Sequence, residues 1–200
     1  MLSEAIKMLL MVNRVSQKNI KIKGDGDVVA GNKIVNNYDS DYTRLKRLFD
    51  ALCSEFTKNE KLTEVCEELN RYLTEKDTIG LEKKLFDAGY KEDYILDALE
   101  QKEYFSKKLY HYKEYDSAQK IYVDLLALIK TSFQDYIYPL IEEKATDSEI
   151  KSAIREKVIN PIIEILNIDG AQDNVLNLNA EEVKGMIFYL TGMCHIKWTI

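Results

Sequence analysis

Residues 26–33, GDVVAGNK, contain two closely spaced glycines and a lysine, a combination that could bind a nucleotide. In a phosphate-binding loop, backbone amides surround the phosphate oxygens and the lysine reaches the terminal phosphates. The spacing here does not fit, because Asn32 separates Gly31 from the lysine and Ile34 stands where a magnesium-binding hydroxyl is needed. We therefore interpret these glycines as turn residues and predict no nucleotide or other cofactor.

A thiol and an imidazole stand side by side at Cys194 and His195, a pair that could hold a metal ion or act in nucleophilic catalysis. Adjacent side chains point in different directions, the other histidine of the chain is His111, and no Cys-x-x-Cys pair completes a ligand set. We predict instead that His195 and Trp198 pack and form hydrogen bonds that hold the end of the chain on the core. No metal ligand is predicted.

Tyrosines alternate with lysines in YFSKKLYHYKEY, residues 104–115, a composition typical of surfaces on which single-stranded nucleic acid stacks. The candidate contacts are Lys107, Lys108 and Lys113. At helical spacing the same residues make an amphipathic surface with extended lysines, and a net charge of −6 opposes binding to phosphates. A small helical nucleic-acid-binding protein is therefore the alternative to our main interpretation.

Few residues of the chain are suited to catalysis. It has two histidines, no phosphate-binding loop and no recognisable nucleophile with its base. Cys53, Cys66 and Cys194 are widely separated, which predicts reduced thiols of a cytoplasmic protein rather than a disulfide framework. The apolar run near the amino terminus is too short to span a membrane. We predict a cytoplasmic protein that is not an enzyme, has no catalytic residue and does not enter a membrane.

Helices are the elements that should position these residues. Hydrophobic residues make up 46% of the chain and charged residues 31%, which argues against disorder, and only 2 prolines occur. Apolar residues recur at helical spacing from residue 41 to the end, most clearly between Ala118 and Leu140. We predict a mainly α fold in which residues 41–200 form a multi-helix, bundle-like domain. Its central helix covers about residues 116–143 and is broken at Pro139.

Further boundaries follow from periodicity and capping signals. Additional helices are predicted near residues 42–57, 60–75, 81–89 and 94–115. Thr146 with Glu149, and Asn179 with Glu182, have the three-residue spacing of capping boxes that open helices. Gly192 is predicted to end the last helix.

Residues 1–38 have a different pattern and are predicted to form a separate arm. A short amphipathic helix over residues 3–17 precedes a segment of period two from Asn19 to Tyr38, which predicts strands and turns. Two strands alone are marginally stable in water, so the arm should pair with something. It either mediates homo-oligomerisation or partner docking, or packs against helices of its own chain. The residues predicted to carry this role are Gly24, Gly26, Val28, Val29, Gly31 and Ile34.

The final residues, YLTGMCHIKW, follow the last predicted helix. We expect them to fold back onto the helical core with Trp198 buried, because a tryptophan offers one of the largest apolar areas available for burial. The residues given this structural or interaction role are Tyr189, Gly192, Cys194, His195 and Trp198.

The stretches GDVVAGNKI, DSAQKIYVDLLALIKTSFQDYIYPLI and YLTGMCHIKW resemble the C-terminal module of bacterial ABC-three-component conflict systems, which include Lamassu-type antiphage defence. The resemblance covers roughly residues 24–200. It implies a helical module that couples an effector to an SMC-like ABC ATPase and a middle component. About 23 residues precede the strand segment, too few for a nuclease, protease or membrane effector. We therefore expect the effector on a separate polypeptide, or only a remnant of it in the N-terminal helix.

Overall fold

A computed structural model describes residues 43–199, and the regular structure in this range is helical. The predicted mainly α fold is thus confirmed for the described residues, whereas the arm of residues 1–38 lies outside them. None of the described helices combines the length and apolarity that crossing a bilayer requires. The helices are α1 (Arg44–Lys58), α2 (Glu67–Leu73), α3 (Leu81–Asp87), α4 (Glu92–Tyr112), α5 (Asp116–Tyr136), α6 (Tyr138–Glu142), α7 (Asp147–Ala153), a π segment (Ile154–Ile159), α8 (Asn160–Asp169) and α9 (Ala180–Gly192).

Helix α5 is the centre of the core, as predicted. It packs against α1, α2, α4, α6, α9 and the π segment, which requires a broad apolar face rather than a narrow seam. Tyr136, within the apolar stretch between Ala118 and Leu140, is 52% exposed at the last position of α5. The chain then turns into α6, in which Pro139 is the second residue. Backbone N–H groups in the first turn have no partner within the helix, so a proline is tolerated there. The buried residues of α5 are Ser117, Ala118, Gln119, Ile121, Tyr122, Leu125, Leu126, Ile129 and Phe133.

Helix α2 is shorter than the predicted span of residues 60–75, and the buried amide of Gln119 explains why. Its Oε1 accepts a hydrogen bond from the Cys66 backbone N–H at 2.6 Å. Its Nε2 donates to the backbone carbonyls of Glu64 at 3.0 Å and Lys113 at 2.7 Å. These bonds use backbone groups that a helix would otherwise pair internally, so α2 begins only after Cys66.

A π turn allows one long helix to contain a proline. The capping box predicted at Thr146 and Glu149 opens α7, with the Thr146 N–H donating to Glu149 Oε2 at 2.8 Å. The chain stays helical through the π segment into α8, although Pro161 has no N–H to donate. The Asn160 N–H donates to the carbonyl of Arg155, five residues earlier. This wider turn adjusts the backbone just before the proline, which would break a regular helix.

Helices α4 and α9 form the most extensive helix pair among the described residues. Their close approach depends on Gly185, because a Cβ there would lie 2.7 Å from the carbonyl oxygen of Gln101 and 2.8 Å from Phe105 Cβ. A buried ion pair joins the same helices, with Lys108 Nζ 2.5 Å from Glu182 Oε1. The second Glu182 oxygen accepts from the Asn179 N–H at 3.1 Å, which confirms the predicted pairing of these two residues at the start of α9.

We expect Gly185→Ala to destabilise the protein by about 1–3 kcal/mol, because the added methyl group must displace the α4 backbone. Urea unfolding measured by circular dichroism checks this value. Lys184→Ala is the matched control at the neighbouring exposed position, where a change within about 0.5 kcal/mol is expected. Equal stability of the two variants would contradict a close α4–α9 contact.

Candidate interaction surface

The carboxyl-terminal segment turns back at Cys194 rather than at Gly192. Gly192, the predicted stop, is the last residue of α9, and the left-handed φ of 64° lies two residues later at Cys194. The His195 N–H then donates to the Leu190 carbonyl at 2.8 Å and closes the helix. A Cβ at Gly192 would lie 2.7 Å from Nζ of Lys102, at the flexible end of that side chain.

Trp198 is buried at 5% exposure, as predicted, and anchors the returning segment. Its indole N–H donates to Thr191 Oγ1 at 2.8 Å. Its ring lies edge-on to those of Tyr90 and Phe133, each at 5.3 Å between ring centroids, and parallel to Phe188 at 6.5 Å. Trp198 therefore belongs to the core.

His195 is also buried, at 4% exposure, and packs on the ring of Tyr72 at 5.1 Å. Neither ring nitrogen has a hydrogen-bond partner of normal geometry among the described residues. Burial, together with the positive charges of Lys76, Lys130 and Arg71, lowers the pKa of His195 from its ordinary value of 6.5 to about 4. The imidazole is therefore neutral at pH 7.

Cys194 faces away from its neighbour, as expected for adjacent residues. Its Sγ lies 2.5 Å from Lys84 Nζ, and the same lysine donates to the Thr191 carbonyl at 2.9 Å. Among residues 43–199, no group of three or more potential ligands from His, Cys, Asp and Glu could hold a metal ion. Tyr189, the remaining predicted residue of this segment, is buried and donates to the Tyr72 carbonyl at 3.3 Å.

The three lysines considered for nucleic-acid contacts have partners within the chain. Lys108 forms the buried ion pair with α9, so it does not offer its charge to solvent. Lys107 pairs with Glu103 at 2.7 Å, and Lys113 lies 4.0 Å above the ring centroid of Tyr110. Lys108 must therefore be removed from the candidate surface residues.

An apolar groove of about 820 Å³ between α3 and the first half of α4 was not predicted from the sequence. Phe86, in the helix predicted near residues 81–89, is 70% exposed, and Leu96 is 57% exposed. The sequence spacing indicates this exposure of Phe86. Leu81 and Leu85 are four residues apart and share the buried face of the helix, whereas Phe86 follows Leu85 directly and points away from that face. We call this surface the α3–α4 groove; its lining is Gly80, Glu82, Lys83, Phe86, Tyr90, Lys91, Glu92, Ile95, Leu96 and Leu99.

The α3–α4 groove has the composition of a protein-binding surface. Its lining combines large apolar side chains with both signs of charge, on Glu82, Lys83, Lys91 and Glu92. Protein interfaces commonly have an apolar centre and a polar rim, and exposed apolar patches on soluble domains mark such sites.

We expect Trp198→Ala to lower the free energy of unfolding by about 3–5 kcal/mol, because it leaves a cavity in the core and removes the indole N–H that donates to Thr191 Oγ1. Thermal unfolding of the two proteins measures the loss, and Trp198→Phe should lose less because it keeps a ring. If Trp198→Ala matched the parent in stability but failed to bind a partner, the residue would belong to an interface.

We expect the cost of burying His195 to appear as pH falls. The folded pKa of about 4 lies below the ordinary value of 6.5, so the unfolded chain takes up the proton first and stability is lost between these pH values. His195→Leu removes this loss. The difference in melting temperature, variant minus parent, should therefore be larger at pH 4 than at pH 7. A difference independent of pH would contradict a neutral, buried imidazole.

Comparison with known proteins relates part of this chain to one protein family. Neither a curated protein nor a solved structure shows significant similarity to it. A family model does match, over residues 80–198, which begin at the N-cap of α3 and end at Trp198. The match includes the α3–α4 groove and the carboxyl-terminal segment. The chain belongs to the family described as C-terminal domain 9 of the ABC-three-component (ABC-3C) systems.

Proposed function

We propose that this chain is a non-enzymatic assembly or adaptor component of a bacterial antiphage defence complex. In this role it couples an effector to an SMC-like ABC ATPase and a middle component. Membership of the ABC-three-component family supports a place in such a multi-protein system. The observation that carries the proposal is the α3–α4 groove, an apolar surface within the matched residues.

Phe86 and Leu96 are the residues of the groove expected to contribute most of the binding free energy. Both are large, both are more than half exposed, and both line the same concave surface. Covering one such side chain with a partner contributes about 1.5–3 kcal/mol from apolar burial. Binding energy in protein interfaces concentrates in a few well-packed residues of this kind.

The side chains best suited to catalysis are used to hold the fold together, which supports binding over catalysis. His195 is buried and neutral, and Cys194 lies against Lys84. The pairing of Lys107 and Lys108 with Glu103 and Glu182 likewise favours a protein partner over nucleic acid. Self-association through the arm of residues 1–38 remains part of the proposal.

We expect the double variant Phe86→Ser, Leu96→Ser to lose binding to the ATPase or middle component of its own system. The full chain, co-expressed with those proteins, is assayed by co-purification and by titration of the purified components. The affinity should fall at least ten-fold, while the melting curve stays close to that of the parent because both side chains are exposed.

Ile168→Ser is the matched control, because Ile168 is 69% exposed and lies outside the groove. Equal binding by the double variant and this control would exclude the groove as the docking site. A parent chain that binds neither protein would refute the adaptor function itself. Salt-sensitive binding to DNA or RNA, lost when the exposed Lys107 and Lys113 are neutralised, would favour the nucleic-acid alternative.

A further inference from the structure

A thiol and an amine lie in direct contact where the carboxyl-terminal segment returns onto α3. The Sγ of the half-buried Cys194 is 2.5 Å from Nζ of Lys84, a residue of α3 that lies 110 positions earlier in the chain. This distance is shorter than the about 2.7–3.2 Å of an N–H···O hydrogen bond, although sulfur is larger than oxygen. The two reactive atoms are therefore close enough for a bond to form between them without a rearrangement of the backbone.

The amine of Lys84 is held in this position by groups other than the thiol. Its side chain is only 13% exposed, and its Nζ donates to the Thr191 carbonyl at 2.9 Å. Asp77 Oδ1 lies 3.4 Å from the same nitrogen. A covered lysine side chain has lost most of its rotamer freedom, so the amine stays beside the sulfur rather than sampling solvent.

The backbone fixes the thiol of Cys194 in the same way. The Cys194 N–H donates to the Thr191 carbonyl at 3.1 Å, and the next N–H, of His195, donates to the Leu190 carbonyl at 2.8 Å. Apart from Lys84, the contacts of the sulfur are with the carbonyl oxygens of Ile79 and Gly192, at 4.0 and 3.7 Å. None of these contacts is with a second thiol, so within residues 43–199 the neighbour able to react with the sulfur is an amine.

We propose that Cys194 and Lys84 form an oxidation site at which hydrogen peroxide produces a reversible covalent S–N bond. A thiol is oxidised by peroxide to a sulfenic acid, and a sulfenic acid condenses with a nearby thiol to a disulfide or with a nitrogen to a sulfenamide. The contact with Lys84 selects the second product. The modification joins the carboxyl-terminal segment to α3, the helix that carries Phe86 of the α3–α4 groove.

The two steps balance in atoms and electrons. In the first step the Cys194 sulfur takes one oxygen from hydrogen peroxide, which gives the sulfenic acid and one water. In the second step the Lys84 nitrogen bonds to the sulfur as the S–O bond breaks. The departing hydroxyl leaves as water with one proton of the ammonium, and a second ammonium proton passes to solvent. The sulfur has then lost the two electrons that peroxide gained, and two equivalents of a thiol reductant restore the thiol and the amine as the reductant becomes a disulfide.

Mass spectrometry of the full chain with Cys53→Ser and Cys66→Ser tests the bond, because Cys194 is then its one thiol. After treatment with hydrogen peroxide, trypsin digestion without a reductant should join residues 84–91 to residues 185–197. The joined peptide should weigh about 2 Da less than its two parts, for the two hydrogens lost, and dithiothreitol should separate them. Recovery of residues 185–197 unjoined, with the thiol free or carrying only oxygen, would overturn the proposal.

Matched variants assign the nitrogen. Lys84→Arg keeps a cation beside the Thr191 carbonyl, but a guanidinium stays protonated and is a poor nucleophile, so at least ten-fold less joined product is expected. Lys83→Arg makes the same change at the adjacent exposed lysine, which pairs with Asp87 at 2.9 Å, and should leave the yield unchanged. Loss of about 2 Da in Lys84→Arg would place the bond on another nitrogen and overturn the assignment. If circular dichroism shows that this variant is misfolded, the joined peptide of the Lys84 chain still decides.

Thermal unfolding measures what the bond does to the fold. A link across so many residues restricts the unfolded chain, so the oxidised protein should melt about 5 °C or more above the reduced protein. Equal melting temperatures of the joined and reduced forms would exclude a role in holding the carboxyl-terminal segment on α3. The inference goes beyond the adaptor function and is measured on the isolated chain, so its failure leaves the co-purification result through the α3–α4 groove unaffected.

Discussion

The contact between α4 and α9 sets the geometry on which the rest of the described fold depends. Gly185 lets the two backbones approach, since any side chain there would meet the carbonyl oxygen of Gln101. Glu182 completes the contact by accepting from Lys108 on α4 and from the Asn179 N–H at the start of its own helix. A carboxylate this deeply buried is tolerated because both of its oxygens are paired, and removing Lys108 would leave a buried charge uncompensated.

The α3–α4 groove and the cavity between α4, the π segment and α9, called the π-segment cavity, share α4 and meet at a pair of stacked tyrosines. Tyr90 lines the α3–α4 groove, Tyr94 lines the π-segment cavity, and their ring centroids are 4.6 Å apart. Lys151 lies over both rings, at 5.3 Å and 4.4 Å. Trp198 also lines the cavity and packs edge-on to Tyr90. The returning carboxyl-terminal segment therefore supports both surfaces, which is consistent with its place inside the matched family region.

Local signals in the sequence determined the helical character of the domain, its central helix and several of its boundaries. The Thr146–Glu149 capping box and the break at Pro139 each depend on residues within one turn, so spacing alone predicted them. The buried face of α5 also followed from its period, because a wide apolar stripe has to be covered by several neighbours. Burial of Trp198 followed from its size and its position after the last helix.

Only the tertiary structure decided which exposed and polar groups find partners, because those partners are distant in the sequence. Gln119 delays α2 by binding the backbone 53 residues earlier, and Lys108 loses its exposed charge to an acid 74 residues later. Phe86 is exposed because no element of residues 43–199 covers that side of α3. The π-segment cavity likewise depends on three helices converging beside Gln101. Periodicity shows which side chains share a face, whereas packing decides which faces are covered.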